Sequence, residues 1–217
     1  ALLANSMRCL EGGTTSSESA FLAASFSELD TIQSAFLTMA QAISEREQLL
    51  RHRASIDELT GLLTRRELLE QLQQLLSKPE RRRRGESLAV LFCDLDRFKE
   101  INDNLGHAAG DAVLRGVAER LRNCLRTSDL GGRTGGDEMV VVLHAVPDLE
   151  SALAVAQKIG LAIAQPIKTP ALDIRITASI GATLARPDEE MDDLMARADI
   201  AMYEAKQAGR NRVIPIR

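Results

Sequence analysis

Apolar positions along the chain change period as they go, and each change marks an element. From Leu29, the residues Leu29, Ile32, Phe36, Met39, Ile43 and Leu50 recur at spacings of three and four, with Arg46 as the one break. This is the a/d seam of a heptad repeat, and it predicts a long helix over residues 28–56. Two arrangements bury such a seam. A narrow stripe on a helix that precedes a domain favours a parallel dimeric coiled coil, and an amphipathic helix folded onto its own domain is the alternative. Upstream, residues 1–27 lack a period and hold the loop-like run Gly12-Gly13-Thr14-Thr15-Ser16-Ser17, which predicts a flexible or poorly ordered segment.

Residues 57–217 read as one domain. Asp57-Glu58-Leu59-Thr60-Gly61 breaks the seam, a helix follows through Leu76, and Pro79 with Arg81 to Arg84 marks a loop. The continuous apolar run 88–93 predicts a strand buried on both faces, ending at Asp94-Leu95-Asp96. Val113, Leu114, Val117, Leu121, Cys124 and Leu125 place one apolar stripe on a helix over residues 110–125. Gly135 and Gly136, set between a polar approach and a β-branched run, predict a tight hairpin whose turn uses positive φ. A helix over 149–164, a strand over 174–184, a helix over 191–207 stopped by Gly209, and a short strand over 213–216 complete the pattern. That order implies a central mixed sheet covered by helices, in the α/β (α+β) classes.

Composition narrows the function. A chain of 217 residues has room for one sizeable domain and an appendage. Aromatic content of 3% with no Trp, together with a net charge of −4, argues against nucleic acid as a partner. Arg81 to Arg84 read as a solvated loop rather than a phosphate or membrane contact. Cys9, Cys93 and Cys124 are odd in number and form no C-x-x-C pair, which fits a reducing compartment and no structural zinc. No run reaches the ~20 apolar residues of a membrane helix. The chain starts at Ala1 rather than Met, so an upstream sensor or membrane segment stays open. The expected location is the cytoplasm, including the cytoplasmic part of an inner-membrane receptor.

The candidate chemistry is carboxylate chemistry. Alternation puts Asp94 and Asp96 on one face at the end of a buried strand, where charge is costly unless something positive meets it. Asp137 and Glu138 open another strand directly after the two glycines. An acidic hairpin tip is one reading of those four residues. If the strands are neighbours, the other is an oxygen-only site of Mg²⁺ character, which implies a nucleotide triphosphate or similar substrate. Lys206 and Arg210, four apart, would share a helix face and either clamp phosphates or complement the helix dipole.

Over nearly all of residues 57 to 217 the chain resembles the GGDEF family of diguanylate cyclases. The motifs that carry the resemblance are Asp57-x-Leu59-Thr60-Gly61-Leu62 with Arg65-Arg66, Asp94-Leu95-Asp96-Arg97-Phe98-Lys99-x-x-Asn102-Asp103, and Gly106-His107-x-x-Gly110-Asp111. They continue with Gly135-Gly136-Asp137-Glu138-Met139, Ser179-Ile180-Gly181, and Ala201-Met202-Tyr203-x-Ala205-Lys206-x-x-Gly209-Arg210-Asn211. Residues 28–39 also resemble part of a HAMP signalling linker. Two departures stand out. Met139 replaces the usual aromatic residue, and Gly132 and Thr134 loosen the approach strand.

The resemblance implies a fold related to class III nucleotidyl cyclases and a homodimer that condenses two GTP into cyclic di-GMP, releasing pyrophosphate. It implies Mg²⁺, with Mn²⁺ as an alternative, held by Asp94, Asp137, Glu138 and the carbonyl of Leu95. Asp137 or Glu138 would accept the proton. Asn102 and Asp111 fall at guanine-reading positions, and Phe98, Lys99, Gly135 and Gly136 at other substrate positions. His107 reads equally as a substrate contact or a packing histidine. Lys206 and Arg210 match the phosphate pair. Arg126-Thr127-Ser128-Asp129 matches an R-x-x-D site at which cyclic di-GMP inhibits its own synthesis, with a surface ion pair as the competing reading of Arg126 and Asp129. The rival functions are a cyclic di-GMP receptor without activity, a cyclase acting on ATP, and a linker whose domain serves only dimerisation. The complete carboxylate set argues against the first and third, and the guanine positions against the second.

Overall fold

The structure, a computed structural model, describes residues 33, 36–39, 55–77, 87–169 and 172–216. The chain divides into two units, residues 1–53 and 54–217. In the first, residues 33 and 36–39 are helical and exposed. The segment 1–27, the rest of the heptad seam, and the loop of Pro79 and Arg81 to Arg84 lie outside the described residues.

The second unit runs β1 (Leu63–Thr64), α1 (Arg65–Leu76), β2 (Ser87–Leu95), α2 (Phe98–Leu105), α3 (His107–Cys124), β3 (Leu130–Arg133), β4 (Glu138–Val146), α4 (Leu149–Ile163), β5 (Ile167–Lys168), β6 (Asp173–Ile174), β7 (Ala178–Leu184), α5 (Met191–Gln207) and β8 (Arg212–Ile216). Six strands form one sheet in the order β1-β3-β4-β2-β7-β8, and β5 and β6 form a separate ribbon. The outer pairs β1/β3 and β7/β8 are parallel, and the pairs between them are antiparallel.

β2 lies inside the sheet and is covered on both faces, which is why its sequence is apolar without alternation. Ala89, Leu91, Cys93 and Leu95 pack with Val113, Val117 and Leu121 of α3 and Ala156 and Ile159 of α4. Leu88, Val90 and Phe92 pack with Leu68 and Leu72 of α1 and Leu194, Ala198 and Met202 of α5. Burial pushes the Cys93 thiol up to about 12, so it is inert packing. α5 lies hard against β7. A Cβ on Gly181 would come within 2.2 Å of the Ala198 carbonyl oxygen and 2.3 Å of the Met202 nitrogen.

Two polar clamps fix the helices. Arg120 of α3 donates to the carbonyls of Ile163 (2.9 Å) and Pro166 (2.6 Å), tying α3 to the end of α4. Arg197 of α5 pairs with Glu189 through Nε (2.7 Å) and Nη2 (2.8 Å) and also donates to the Leu184 carbonyl.

The pattern of hydrophobicity misplaced several elements. α2 was not expected, and α3 begins at His107 rather than Gly110. The strand expected over 174–184 is broken: Ile174 pairs with Ile167 in the ribbon, and the sheet strand starts only at Ala178. β1 and β5, two residues each, carry no pattern of their own. The hairpin joins β3 to β4 as expected, but neither Gly135 nor Gly136 takes a positive φ. Its turn is closed instead by Thr134 N–H donating to the Glu138 carbonyl at 3.1 Å.

Candidate active site

Antiparallel pairing of β2 with β4 and β7 sets Asp94 directly across from Glu138 on one side and Ser179 on the other. Asp94 is 7% exposed. Burial raises its carboxyl above the ordinary carboxylate range. The Lys206 hydrogen bond opposes this, and the charges of Asp137 and Glu138 reinforce it. Lys206 Nζ sits 2.6 Å from Asp94 Oδ2. A lysine ammonium thus occupies a carboxylate that two neighbouring acids would otherwise disfavour.

The turn before Glu138 is held by Arg133. Its Nε donates to the carbonyls of Gly135 (3.3 Å) and Gly136 (3.1 Å), and Nη2 donates to Gly136 at 2.8 Å. Nη1 pairs with both carboxylate oxygens of Asp57 at 3.3 Å. Asp57 Oδ1 also accepts from the backbone (2.9 Å) and hydroxyl (2.6 Å) of Thr60. Burial raises the Asp57 carboxyl, but the Thr60 hydrogen bonds and the Arg133 charge outweigh it and hold the group below the usual range. Gly135 leaves room for the Glu138 side chain. A Cβ there would lie 2.7 Å from Glu138 Oε2, so the carboxylate folds back against the turn. Leu95 N–H reaches the Asp137 carbonyl at 3.4 Å, bringing the strand end and the turn together.

Among the described residues, no three His, Cys, Asp or Glu side chains gather tightly enough to hold a metal by themselves. The donor chemistry still fits a hard cation that keeps waters and phosphate oxygens. Asp94 lies within electrostatic reach of Asp137 and Glu138, beside the Leu95 backbone, and already carries a cation in Lys206. Asp96 is different. Its carboxylate accepts from Thr177 Oγ1 (2.6 Å), Ser179 Oγ (2.7 Å) and Asn211 N–H (3.0 Å), which makes it a clamp between the end of β2, β7 and the chain entering β8.

The remaining sequence-derived positions cluster around α2 and α3. A Cβ on Gly110 would fall 1.9 Å from Asn102 Oδ1 and 3.2 Å from Phe98 Cζ. The bare backbone of α3 therefore admits both side chains of α2. Phe98 is buried in the core and Lys99 is exposed. Asp111, half-buried, lies 3.8 Å from Arg115, and His107 is exposed at the first position of α3. Arg210 does not share a helix face with Lys206, as the spacing had suggested. α5 ends in a Schellman turn: Gly209 at φ 110° donates to Lys206 O (3.4 Å), and Arg210 donates to Ala205 O (3.0 Å). This turn carries Arg210 off the helix at φ 63°.

Arg126 and Asp129 do not form an ion pair with each other among the described residues. Asp129 Oδ2 accepts from Arg126 N–H (2.9 Å) and Oδ1 from His144 N–H (3.1 Å), so its carboxylate organises the turn into β3. The Arg126 side chain is exposed beside a cavity of about 290 Å³ that Arg122 and Gln71 also line. Arg133 carries no role that the sequence alone reveals. Its only signal is position, a cation immediately before a turn rich in bare carbonyls.

Fold and site together define a nucleotidyl-cyclase-like α/β domain, with acidic strand ends meeting beneath a cation from the last helix. The chain belongs to the GGDEF family: the profile described as "Diguanylate cyclase, GGDEF domain" matches residues 54–212. It is 38% identical over 186 residues to the diguanylate cyclase DgcM of Escherichia coli (strain K12), covering 82% of this chain and 43% of that protein. It is 40% identical over 163 residues to the cyclic di-GMP phosphodiesterase NbdA of Pseudomonas aeruginosa, covering 75% of this chain and 20% of that one. The crystal structure of the coiled coil and GGDEF domain of DgcB from Caulobacter crescentus, in complex with c-di-GMP, superposes with a TM-score of 0.74 at 26% identity, covering 87% of this chain and 99% of that one. The chain spans 20% of the length of NbdA and 43% of that of DgcM, less than half of either relative. Among the described residues, no helix is long and apolar enough to cross a membrane.

Proposed function

We propose that residues 57–217 form a diguanylate cyclase domain that condenses two GTP into cyclic di-GMP and releases two pyrophosphates. The observation that carries this reading is the pairing of Asp94 with Glu138 beside Asp137, with Lys206 standing on Asp94. Asp94, Asp137, Glu138 and the Leu95 carbonyl would hold Mg²⁺, or Mn²⁺ in its place. When bound, the cation polarises the α-phosphate and lowers the pKa of the attacking hydroxyl. Asp137 or Glu138 accepts the proton of the 3′-hydroxyl of one GTP. A bond forms from that oxygen to the α-phosphorus of the other GTP as the bond from α-phosphorus to the bridging oxygen breaks, and pyrophosphate departs.

Asn102 and Asp111 are the guanine readers. A carboxylate accepts from both N1–H and N2–H₂ of guanine, whereas adenine presents a lone pair at N1 and leaves it unpaired. That costs ~1–3 kcal/mol or more when charged, enough to favour GTP over ATP. Lys206 leaves Asp94 to join Arg210 on the phosphates. One domain holds one GTP, so two copies must face each other, and a coiled coil over 28–56 would set how often they meet. Cyclic di-GMP bound at Arg126 and Asp129 would feed back on synthesis, with Arg126 free to fork onto phosphate. The domain would work in the cytoplasm below an upstream sensor.

NbdA, named a phosphodiesterase, favours one rival, a domain that binds cyclic di-GMP without making it. Purified protein is incubated with GTP and Mg²⁺ and followed for cyclic di-GMP and pyrophosphate, with Asp137→Ala as control. Product that vanishes in the control supports the cyclase. No product at any protein concentration, with tight cyclic di-GMP binding, selects the receptor.

A further inference from the structure

A cavity of about 700 Å³ lies beside Arg210, and none of Asp94, Asp137 and Glu138 lines it. Arg97 at the start of α2, Arg175 in the break before β7, and Arg210 after the Schellman turn all line it. Each arginine side chain is exposed and unpaired among the described residues. Against them stand Glu100, on the first turn of α2, and Asp96, whose carboxylate oxygens are already engaged by three hydrogen bonds from Thr177, Ser179 and Asn211.

Backbone strain gathers at the same place. Arg97 (φ 58°), Arg210 (φ 63°) and Asn211 (φ 47°) all adopt the left-handed region, and all three line the cavity. Arg210 and Asn211 take that conformation as the chain leaves the turn ending α5, and Arg97 takes it as the chain enters α2, at a free-energy cost in each case. No side chain caps the N-terminus of α2, where Arg97 sits. An uncapped helix start, three guanidinium forks and a concave wall are the chemistry of a polyanion with several terminal oxygens.

The geometry points to a diphosphate pocket in which Arg97 and Arg175 extend the reach of Arg210. The inference rests on the GTP reading above, since that reaction presents a diphosphate twice. It is first the β,γ end of the bound nucleotide and then the free pyrophosphate once the α-phosphorus bond breaks. Arg97 and Arg175 hold this group together with Arg210 in a cavity that Asp94 does not line. Neither arginine belongs to the metal or guanine positions, and both are exposed, so substitution there spares the fold.

Inorganic pyrophosphate and 3′-deoxy-GTP, which lacks the attacking hydroxyl, are titrated by calorimetry in Mg²⁺ buffer into the protein, Arg97→Gln, Arg175→Gln and the remote control Arg66→Gln on α1. Each pocket variant weakens pyrophosphate about tenfold, the scale of one lost charge-assisted hydrogen bond, while Arg66→Gln stays within about twofold. Loss for pyrophosphate alone means the pocket takes the product, and parallel loss for 3′-deoxy-GTP means it already holds the β,γ end. Either result supports the pocket. Unchanged pyrophosphate affinity in both variants, or no pyrophosphate binding by the unaltered protein, overturns it. Cyclic di-GMP synthesis is followed in the same preparations. Synthesis with unchanged pyrophosphate affinity removes the pocket and leaves the cyclase, whereas absence of synthesis removes the cyclase and leaves the titration to decide the pocket.

Discussion

Replacing Arg133 by Met removes a cation from the turn that presents Asp137 and Glu138, while keeping an apolar stem of similar length. The side chain makes three donor contacts to the Gly135 and Gly136 carbonyls and one ion pair to Asp57. Its exposure is 18% and that of Asp57 is 26%, so water reaches the pair only in part. The carbonyl of exposed Gly136 can hydrate after the loss, and Asp57 keeps its Thr60 bonds. The cost therefore comes to that of one or two charge-assisted contacts rather than the sum of all four, about 2–3 kcal/mol. At roughly 2–4 °C per kcal/mol for a domain of this size, melting falls by about 5–10 °C. A double-mutant cycle with Asp57→Asn isolates the ion pair, which should contribute about 1 kcal/mol of coupling. Urea unfolding of the four proteins without nucleotide measures both quantities. Because the turn is freed while the guanine positions are untouched, kcat should fall more than KM rises. An unchanged melting temperature with coupling indistinguishable from zero would refute the reasoning.

Two further outcomes follow from the clamps. Asp96→Ala strands three donors, one of them on fully buried Ser179. It should cost about 3 kcal/mol or more in urea unfolding, and Asp96→Asn, which keeps acceptor capacity, should cost less. Burial raises the Glu189 carboxyl, but hydrogen bonds from Arg197 and the Arg186 backbone outweigh it and hold the group below its ordinary 4.5. A folded-state pKa below the unfolded one means stability that is fully present above about 4.5 and is lost as pH falls through the folded value. Melting curves between pH 7 and 3 should show this acid loss, and Glu189→Gln should start lower and fall less steeply. A Gln variant with the parent's pH dependence would assign the loss elsewhere.

Local pattern made some of this legible and hid the rest for identifiable reasons. β2 could be read because a doubly covered strand leaves an unbroken apolar signature, and the end of α5 because Gly209 marks its left-handed turn. α2 escaped because it spans only 8 residues and starts from a left-handed arginine, which no capping rule anticipates. Ile174 and Ile176 alternate with Ala178 like one strand, yet Ile174 pairs with Ile167, and a period of two cannot say which partner a residue will take. Asp94 and Asp96 looked equivalent. What separates them is the company that long-range pairing supplies: Lys206 for one, and Thr177, Ser179 and Asn211 for the other. The roles of Gly135 and Gly110 rest on side chains that fold toward them from elsewhere, and spacing alone carries no trace of that.

The sheet order has a consequence for how such a domain is strung into longer proteins. The chain joins the sheet at one border, β1, and departs from the other, β8. The two ends of the domain's own chain therefore lie at opposite borders of the sheet. The entry border is also two ladders from Glu138, through β3 to β4. The exit border is three ladders away, through β7 and β2, so the acidic turn lies nearer the entry border than the exit.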